Sequence, residues 1–115
     1  MSERDVLRDV RRRVRVFAAL GDDTRLSILS RLRDGRSMSI AALSKGRSVT
    51  RQSVSKHLAV LEDAGLVRSV RHGRENRFAL VPRAIDDAAR SLESISRQWD
   101  SALLRLKERT EAEQA

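Results

Sequence analysis

Between Thr50 and Val67 the chain reads TRQSVSKHLAVLEDAGLV, and its opening residues are rich in side chains able to read a base edge or hold an anion. Arg51 can pair bidentately with guanine, Gln52 with adenine, and Ser53 or Ser55 with several partners, while Lys56 supplies a point charge for phosphate. The order of charges runs against helix stability. A helix is partly positive at its N-terminus and partly negative at its C-terminus. Yet Arg51 and Lys56 crowd the start, and Glu62 and Asp63 stand at the end. That arrangement costs an isolated helix a few tenths of a kcal/mol per charge, about the low end of such effects. A phosphate partner more than offsets it at moderate salt. Local rules broken without local gain tend to mark function.

Other chemistries find less support. The only histidines are His57 and His72, and neither stands near a credible pairing of serine and acid. The acid pairs Asp22–Asp23, Glu62–Asp63 and Asp86–Asp87 read as helix caps and solvated faces. With no cysteine in the chain, disulfides and thiolate metal sites are excluded. Asp86, Asp87 and Asp100 lack a nearby histidine and make a poor ligand set for Zn²⁺ or Ni²⁺. The expectation is a protein that is not an enzyme, with no metal and no cofactor.

The elements that must position these side chains follow from periodicity. Val6, Val10, Val14 and Phe17 predict a first helix from about Arg4 to Leu20, closed by Gly21 in a left-handed conformation. Asp22 can cap a second helix whose buried stripe is Leu26, Ile28, Leu29 and Leu32. The stretch DGRS, Asp34 to Ser37, ends that helix, and an extended piece around Ser37–Ser39 can follow. IAALSKG, Ile40 to Gly46, reads as a brief third helix. Thr50 is the expected N-cap of a fourth, with Val54, Leu58 and Leu61 facing inward and Gly65 as the stop.

Then the period changes. Val67 and Val70, with Phe78 and Leu80, flank a polar glycine-containing tip, as in a β-hairpin. Pro82 fits the first turn of a final helix. There Ile85, Ala89, Leu92, Ile95, Trp99, Ala102 and Leu106 recur at steps of three and four, the pattern of a seam between helices. Leu103 borders the same seam. The predicted order is α-α-α-α-β-β-α, mainly helical with a small hairpin, in one domain spanning 1–115.

Composition agrees. Aromatic residues are only 3% of the chain and tyrosine is absent, so the core must be aliphatic, which suits helix-on-helix packing. The formal net charge is +8. From Met1 to Arg83 there are 19 Lys/Arg against 9 Asp/Glu, and from Ala84 onward 5 against 7. A positive excess confined to part of the chain looks like a polyanion-binding face. No secretory signal or membrane-length apolar run is present, so a cytoplasmic location is expected.

The third and fourth helices, joined by GRSVT, form a helix-turn-helix. Its second helix would enter the major groove N-terminus first. The DNA-contact set expected from this placement is Ser48, Thr50, Arg51, Gln52, Ser53, Ser55, Lys56 and His57, although His57, at helical spacing beside Val54 and Leu58, can instead pack partly and donate one hydrogen bond. The hairpin tip RHGREN adds Arg71 and Arg74, with Arg77 on the return strand. Such a wing can lie along the phosphates.

The blocks VFAALGDDTRLSILSRL and RQSVSKHLAVLEDAGLVRSVRHGRENRFAL, in that order, resemble the ArsR (arsenic-repressor) family of winged helix-turn-helix regulators. The resemblance covers about Val14 to Pro82. It implies a homodimeric repressor bound to a dyad-symmetric operator, with the first and last helices building the dimer interface. On this chain that interface is Val6, Val10, Val14, Leu92, Ile95, Trp99, Leu103 and Leu106. Asp23 stands where many relatives carry proline, and either residue suits a first helical turn. Metal-responsive members place cysteine pairs on the third helix, or Asp and His ligands on the last. Neither pattern occurs here, so the family's metal sensing is not carried over, and no effector is legible. Two other readings remain to be weighed: a sequence-neutral nucleoid-type DNA-binding protein, and a winged-helix module that binds protein. The basic excess opposes the second. Gln52, Ser53 and Ser55 among the bases oppose the first.

Overall fold

The structure, a computed structural model, describes residues 1–114. Five helices and three strands follow in the order α1 (Glu3–Leu20), α2 (Asp23–Arg31), β1 (Met38–Ser39), α3 (Ile40–Ser44), α4 (Arg51–Asp63), β2 (Val67–His72), β3 (Glu75–Leu80) and α5 (Pro82–Gln114). Two units are distinguishable, Met1–Ile85 and Asp86–Ala115. The first holds the helix-turn-helix and wing, and the second is the greater part of α5.

The helices begin where side-chain oxygens can satisfy free N–H groups. Ser2, Asp22, Ser39 and Thr50 cap α1, α2, α3 and α4, each accepting from the backbone N–H three residues on. The end of α4 is a Schellman motif. Gly65 has φ +79, its N–H donates to Glu62 O, and Leu66 N–H reaches back to Leu61 O. Both Leu61 and Leu66 are fully buried, so the turn that ends the recognition helix is welded into the core. Gly21 behaves otherwise. It caps α1 at φ −81, so the expected left-handed stop is not what ends that helix.

Within the first unit the core is Ala19, Ile28, Leu29, Leu32, Leu43, Val54, Leu58, Leu61, Leu66, Val67 and Phe78. Every element from α1 to β3 except β1 contributes, and Met38 of β1 packs against its edge. The expected stripe of α2 needs one correction. Leu26 is 51% exposed, whereas Ile28, Leu29 and Leu32 are buried. At about 100° per residue, Leu26 stands about 200° around the helix from Ile28 and belongs to the opposite side.

The sheet is antiparallel with order β1-β3-β2. The predicted two-stranded hairpin thus gains a third strand, because the extended piece at Met38–Ser39 pairs with Phe78 and Arg77. Between β2 and β3 the register runs from Val67↔Leu80 to His72↔Glu75. This leaves a two-residue loop in which φ is positive at Gly73 (+63) and not at Arg74, the signature of a type II′ turn.

The second unit continues α5. The whole helix has 33 residues, about 50 Å at the usual rise. Leu92, Ile95, Trp99, Leu103 and Leu106 are all exposed, Trp99 at 64%. On α1, Val6, Val10 and Val14 are likewise exposed. None of the described helices is long and apolar enough to cross a membrane.

Candidate nucleic-acid interface

Helix α4 divides cleanly into two faces. Val54, Leu58 and Leu61 lie in the core at 1% exposure or less. Arg51, Gln52, Ser55 and Lys56 are exposed, recurring at i, i+1, i+4 and i+5 on the outer face. Ser48 and Thr50 are exposed in the approach to the helix, and Ser53 is half-buried. The Thr50 hydroxyl accepts from Ser53 N–H at 3.0 Å, leaving its own O–H free to donate. No acid stands in the first turn of α4 and no base in its last turn. The inverted charge order is therefore present as expected, on a helix anchored by its other face.

Part of that inversion has a second explanation. Glu62 accepts from Ser69 twice, from the backbone N–H at 3.2 Å and from the hydroxyl at 2.8 Å. Glu62 does more than point away from a ligand: it ties the end of α4 to β2, and so fixes the wing against the recognition helix.

His57 takes the partly packed alternative, but with its ring nitrogen accepting rather than donating. Its side chain is 22% exposed, and Nδ1 lies 3.3 Å from Arg25 Nη1. Since a guanidinium can only donate, Nδ1 is the acceptor in this contact. Arg25 holds three elements together. Its Nε donates to Ala19 O at 2.6 Å and its Nη2 to Ala18 O at 3.2 Å, both at the end of α1. Its own backbone N–H donates to Asp22 at 2.9 Å. That backbone bond is the main reason the Asp22 carboxyl titrates below the ordinary aspartate range, with burial opposing and the charge of Arg25 assisting. His57 Nδ1 is 3.8 Å from the Asp22 carboxylate. The node joins α1, α2 and α4, and sequence reasoning missed it because Arg25 and His57 lie 32 residues apart.

Two further arginines are internal ties. Arg31 donates to Leu43 O at 3.0 Å, linking α2 to α3. Arg47, in the turn between α3 and α4, donates to the hydroxyl of Ser27. In the wing, Arg71 and Arg74 are exposed, as is Arg68, which sequence reasoning passed over. Arg77 is half-buried and donates to Glu75 at 2.9 Å, so its charge is already partnered. Of the expected basic contacts, Arg51, Lys56, Arg71 and Arg74 form no ion pair among the described residues, while His57 and Arg77 are engaged within the protein. Among the described residues no cluster of three His, Asp or Glu side chains could hold a metal ion.

Residues 20–70 match the family described as "Helix-turn-helix domain". The chain is 45% identical over 65 residues to an uncharacterized HTH-type transcriptional regulator, YuzN, of Bacillus subtilis (strain 168), covering 51% of this chain and 71% of that protein. Among solved structures it is similar to an ArsR-like transcriptional regulator from Rhodococcus sp. RHA1, with a TM-score of 0.71 and 39% identity over 87% of this chain and 93% of that one. It is also similar to the homodimeric winged helix-turn-helix DNA-binding domain of Mb0332 from Mycobacterium bovis, a possible ArsR-family regulator. There the TM-score is 0.64, with 26% identity over 87% and 88% of the two chains.

Proposed function

We propose that this chain, which belongs to the ArsR family of helix-turn-helix transcriptional regulators, is a repressor that binds an inverted-repeat operator as a homodimer. The family membership makes it a DNA-binding regulator. The observation that carries the finer reading is the two-faced α4, whose outer row of Arg51, Gln52, Ser55 and Lys56 is backed by a fully buried inner row. A rigid backing lets short side chains discriminate, since a wandering helix could only grip phosphate.

In this reading Arg51 and Gln52 read base edges, with Ser53 and Ser55 adding adaptable hydrogen bonds. Ser48, Thr50 and Lys56 hold phosphates at the groove entrance. Arg71 and Arg74 follow the backbone beyond it. His57 and Arg77 act from behind, His57 by keying α4 to Arg25 and Arg77 by stiffening the wing through Glu75. The whole chain acts as one DNA-binding domain with its first and last helices as dimerisation elements. Their exposed stripes, Val6, Val10 and Val14 on α1 and Leu92, Ile95, Trp99, Leu103 and Leu106 on α5, form apolar patches of the kind that mark association surfaces. The Mycobacterium relative is described as homodimeric, which supports the same assembly here. Two recognition helices related by a dyad would meet half-sites about 10 base pairs apart, or a multiple of that.

Titration onto a duplex from the protein's own promoter, beside a shuffled duplex, over a range of salt tests the reading. Arg51→Ala and Gln52→Ala should each lose ~1–3 kcal/mol of discrimination between the two. Arg74→Ala should weaken both equally and flatten the salt dependence. If wild type bound both duplexes alike, the sequence-specific reading would fail in favour of a nucleoid-type protein.

A further inference from the structure

Helix α1 carries a second basic surface that the helix-turn-helix does not use. Arg4, Arg8, Arg11 and Arg15 follow one another at steps of four, three and four, which places them in one row along the helix. All four are exposed. Their neighbours Arg12 and Arg13 are both held by Asp9, Arg12 at 2.8 Å. Among the described residues, no carboxylate lies within ion-pair distance of the four in the row. Like charges at i,i+4 weaken a helix. A row of them left unpaired is the pattern expected of a surface awaiting an anion.

Three observations narrow the partner. At about 100° per residue the row lies roughly 135° around the helix from the mean direction of Val6, Val10, Val14 and Phe17. An assembly seam through those apolar residues therefore leaves the arginines outside it. Arginine is used at every position of the row, the residue whose planar fork matches phosphate bidentately. The row is about 16 Å long at the helical rise, close to the axial length of five nucleotides on one DNA strand at about 3.4 Å each. Moreover, α1 is not free to swing at its far end. Ala18 and Ala19 carbonyls are held by Arg25, which reaches His57 on the recognition helix.

We propose that Arg4, Arg8, Arg11 and Arg15 form an auxiliary phosphate-gripping row that binds the backbone of duplex DNA flanking the base-read site. The proposal rests on the DNA-binding reading above, but not on base specificity. The row extends the footprint and contributes affinity that is blind to sequence.

The test compares the full-length wild type with the quadruple variant Arg4→Gln, Arg8→Gln, Arg11→Gln, Arg15→Gln, glutamine being a good helix former. Each is titrated onto a duplex of about 20 base pairs, enough for two half-sites one turn apart. The titration is repeated on the same duplex lengthened by about 10 base pairs at each end, one further helical turn. Wild type should bind the longer duplex more tightly and with a steeper salt dependence. The variant should lose that advantage, its slope in log K against log salt falling by about 0.9 for each phosphate contact removed. The two proteins should converge on the short duplex. A companion variant with lysine at all four positions should recover most of the slope, which a merely misfolded α1 would not.

Equal slopes for wild type and variant on the longer duplex would overturn the proposal. So would poly-glutamate binding to the row with no change in DNA slope, which would assign the surface to an acidic protein. Arg51→Ala serves as the separating control. It should lose operator preference yet keep the dependence on flank length, so failure of base reading and failure of the flank contact are told apart.

Discussion

Helices α4 and α5 carry apolar stripes of the same period and do opposite things with them. In α4 the stripe of Val54, Leu58 and Leu61 is at most 1% exposed, closed off by residues of the same unit. In α5 the stripe from Leu92 to Leu106 stands between 41% and 64% exposed. One helix has spent its apolar face on holding a reading head still. The other keeps its face available. The difference separates two kinds of stability: that of the first unit is intramolecular, whereas burial of the α5 stripe depends on a second copy in the proposed dimer. It also divides the polar faces, since α4 sets Arg51 and Lys56 in its N-terminal half and the Ala84–Ala115 segment carries a slight acidic excess.

Trp99→Ala should break the comparison at its weaker side. If the stripe is a seam, the loss is ~3–5 kcal/mol, as for a buried tryptophan. It should appear as a concentration-dependent drop in assembly and operator binding, with Arg51 and Lys56 untouched. Sedimentation over a range of concentrations measures it, and a wild type that stays monomeric at tens of micromolar, on the order of ordinary assay conditions, would remove the basis for the seam. Leu58→Ala strikes the other side. A cavity in the first unit should cost ~2–5 kcal/mol in denaturant unfolding at any protein concentration. If instead this loss scaled with concentration, the core would not be self-contained.

A smaller change sharpens the role of the reversed charges. Removing an acid near a DNA-binding face should raise affinity if charge alone matters. Because Glu62 holds Ser69, Glu62→Ala should instead lower stability by ~0.5–1.5 kcal/mol and loosen the wing, seen as faster hydrogen exchange in β2 and weaker DNA binding. An affinity gain would leave the tie without functional weight.

The smallest expected effect belongs to Asp22. Its carboxyl titrates below the ordinary value in the folded protein, so the ionised form is favoured by folding. Its contribution is complete above the unfolded carboxylate range and fades as pH falls through the depressed folded value. Asp22→Ala should lower Tm slightly at neutral pH, and the gap from wild type should narrow under acid conditions. A constant gap across that range would assign the effect to something other than the charged cap.

Much of the site was legible because its rules are local. Thr50 before Arg51, the inward step from Val54 to Leu58 to Leu61, and Gly65 at the stop are all decided within one or two turns of chain. Gln52, Ser55 and Lys56 then fall on the outer face by geometry alone. For His57 and Arg77 the local pattern does not reveal the partners, Arg25 and Glu75. Both are polar residues at the edge of an apolar stripe or strand, where the local pattern allows either solvent or an internal bond. For His57 the choice was made by Arg25, a residue whose reach is set by how α1 and α2 meet.

What the sequence determined by itself is the order of elements, the helix-turn-helix, the sign and place of the charge, and the resemblance that the relatives bear out. These depend on period, capping chemistry and composition, which act over a few residues and survive in one dimension. The tertiary structure alone decided that Leu26 faces outward, that Met38 and Ser39 join the wing as a third strand, that Glu62 fastens the wing, and that Arg25 locks α1 to the recognition helix. Each of these is a meeting of residues separated along the chain, settled by which packed arrangement buries the apolar core while leaving, among the described residues, no buried polar side chain without a partner.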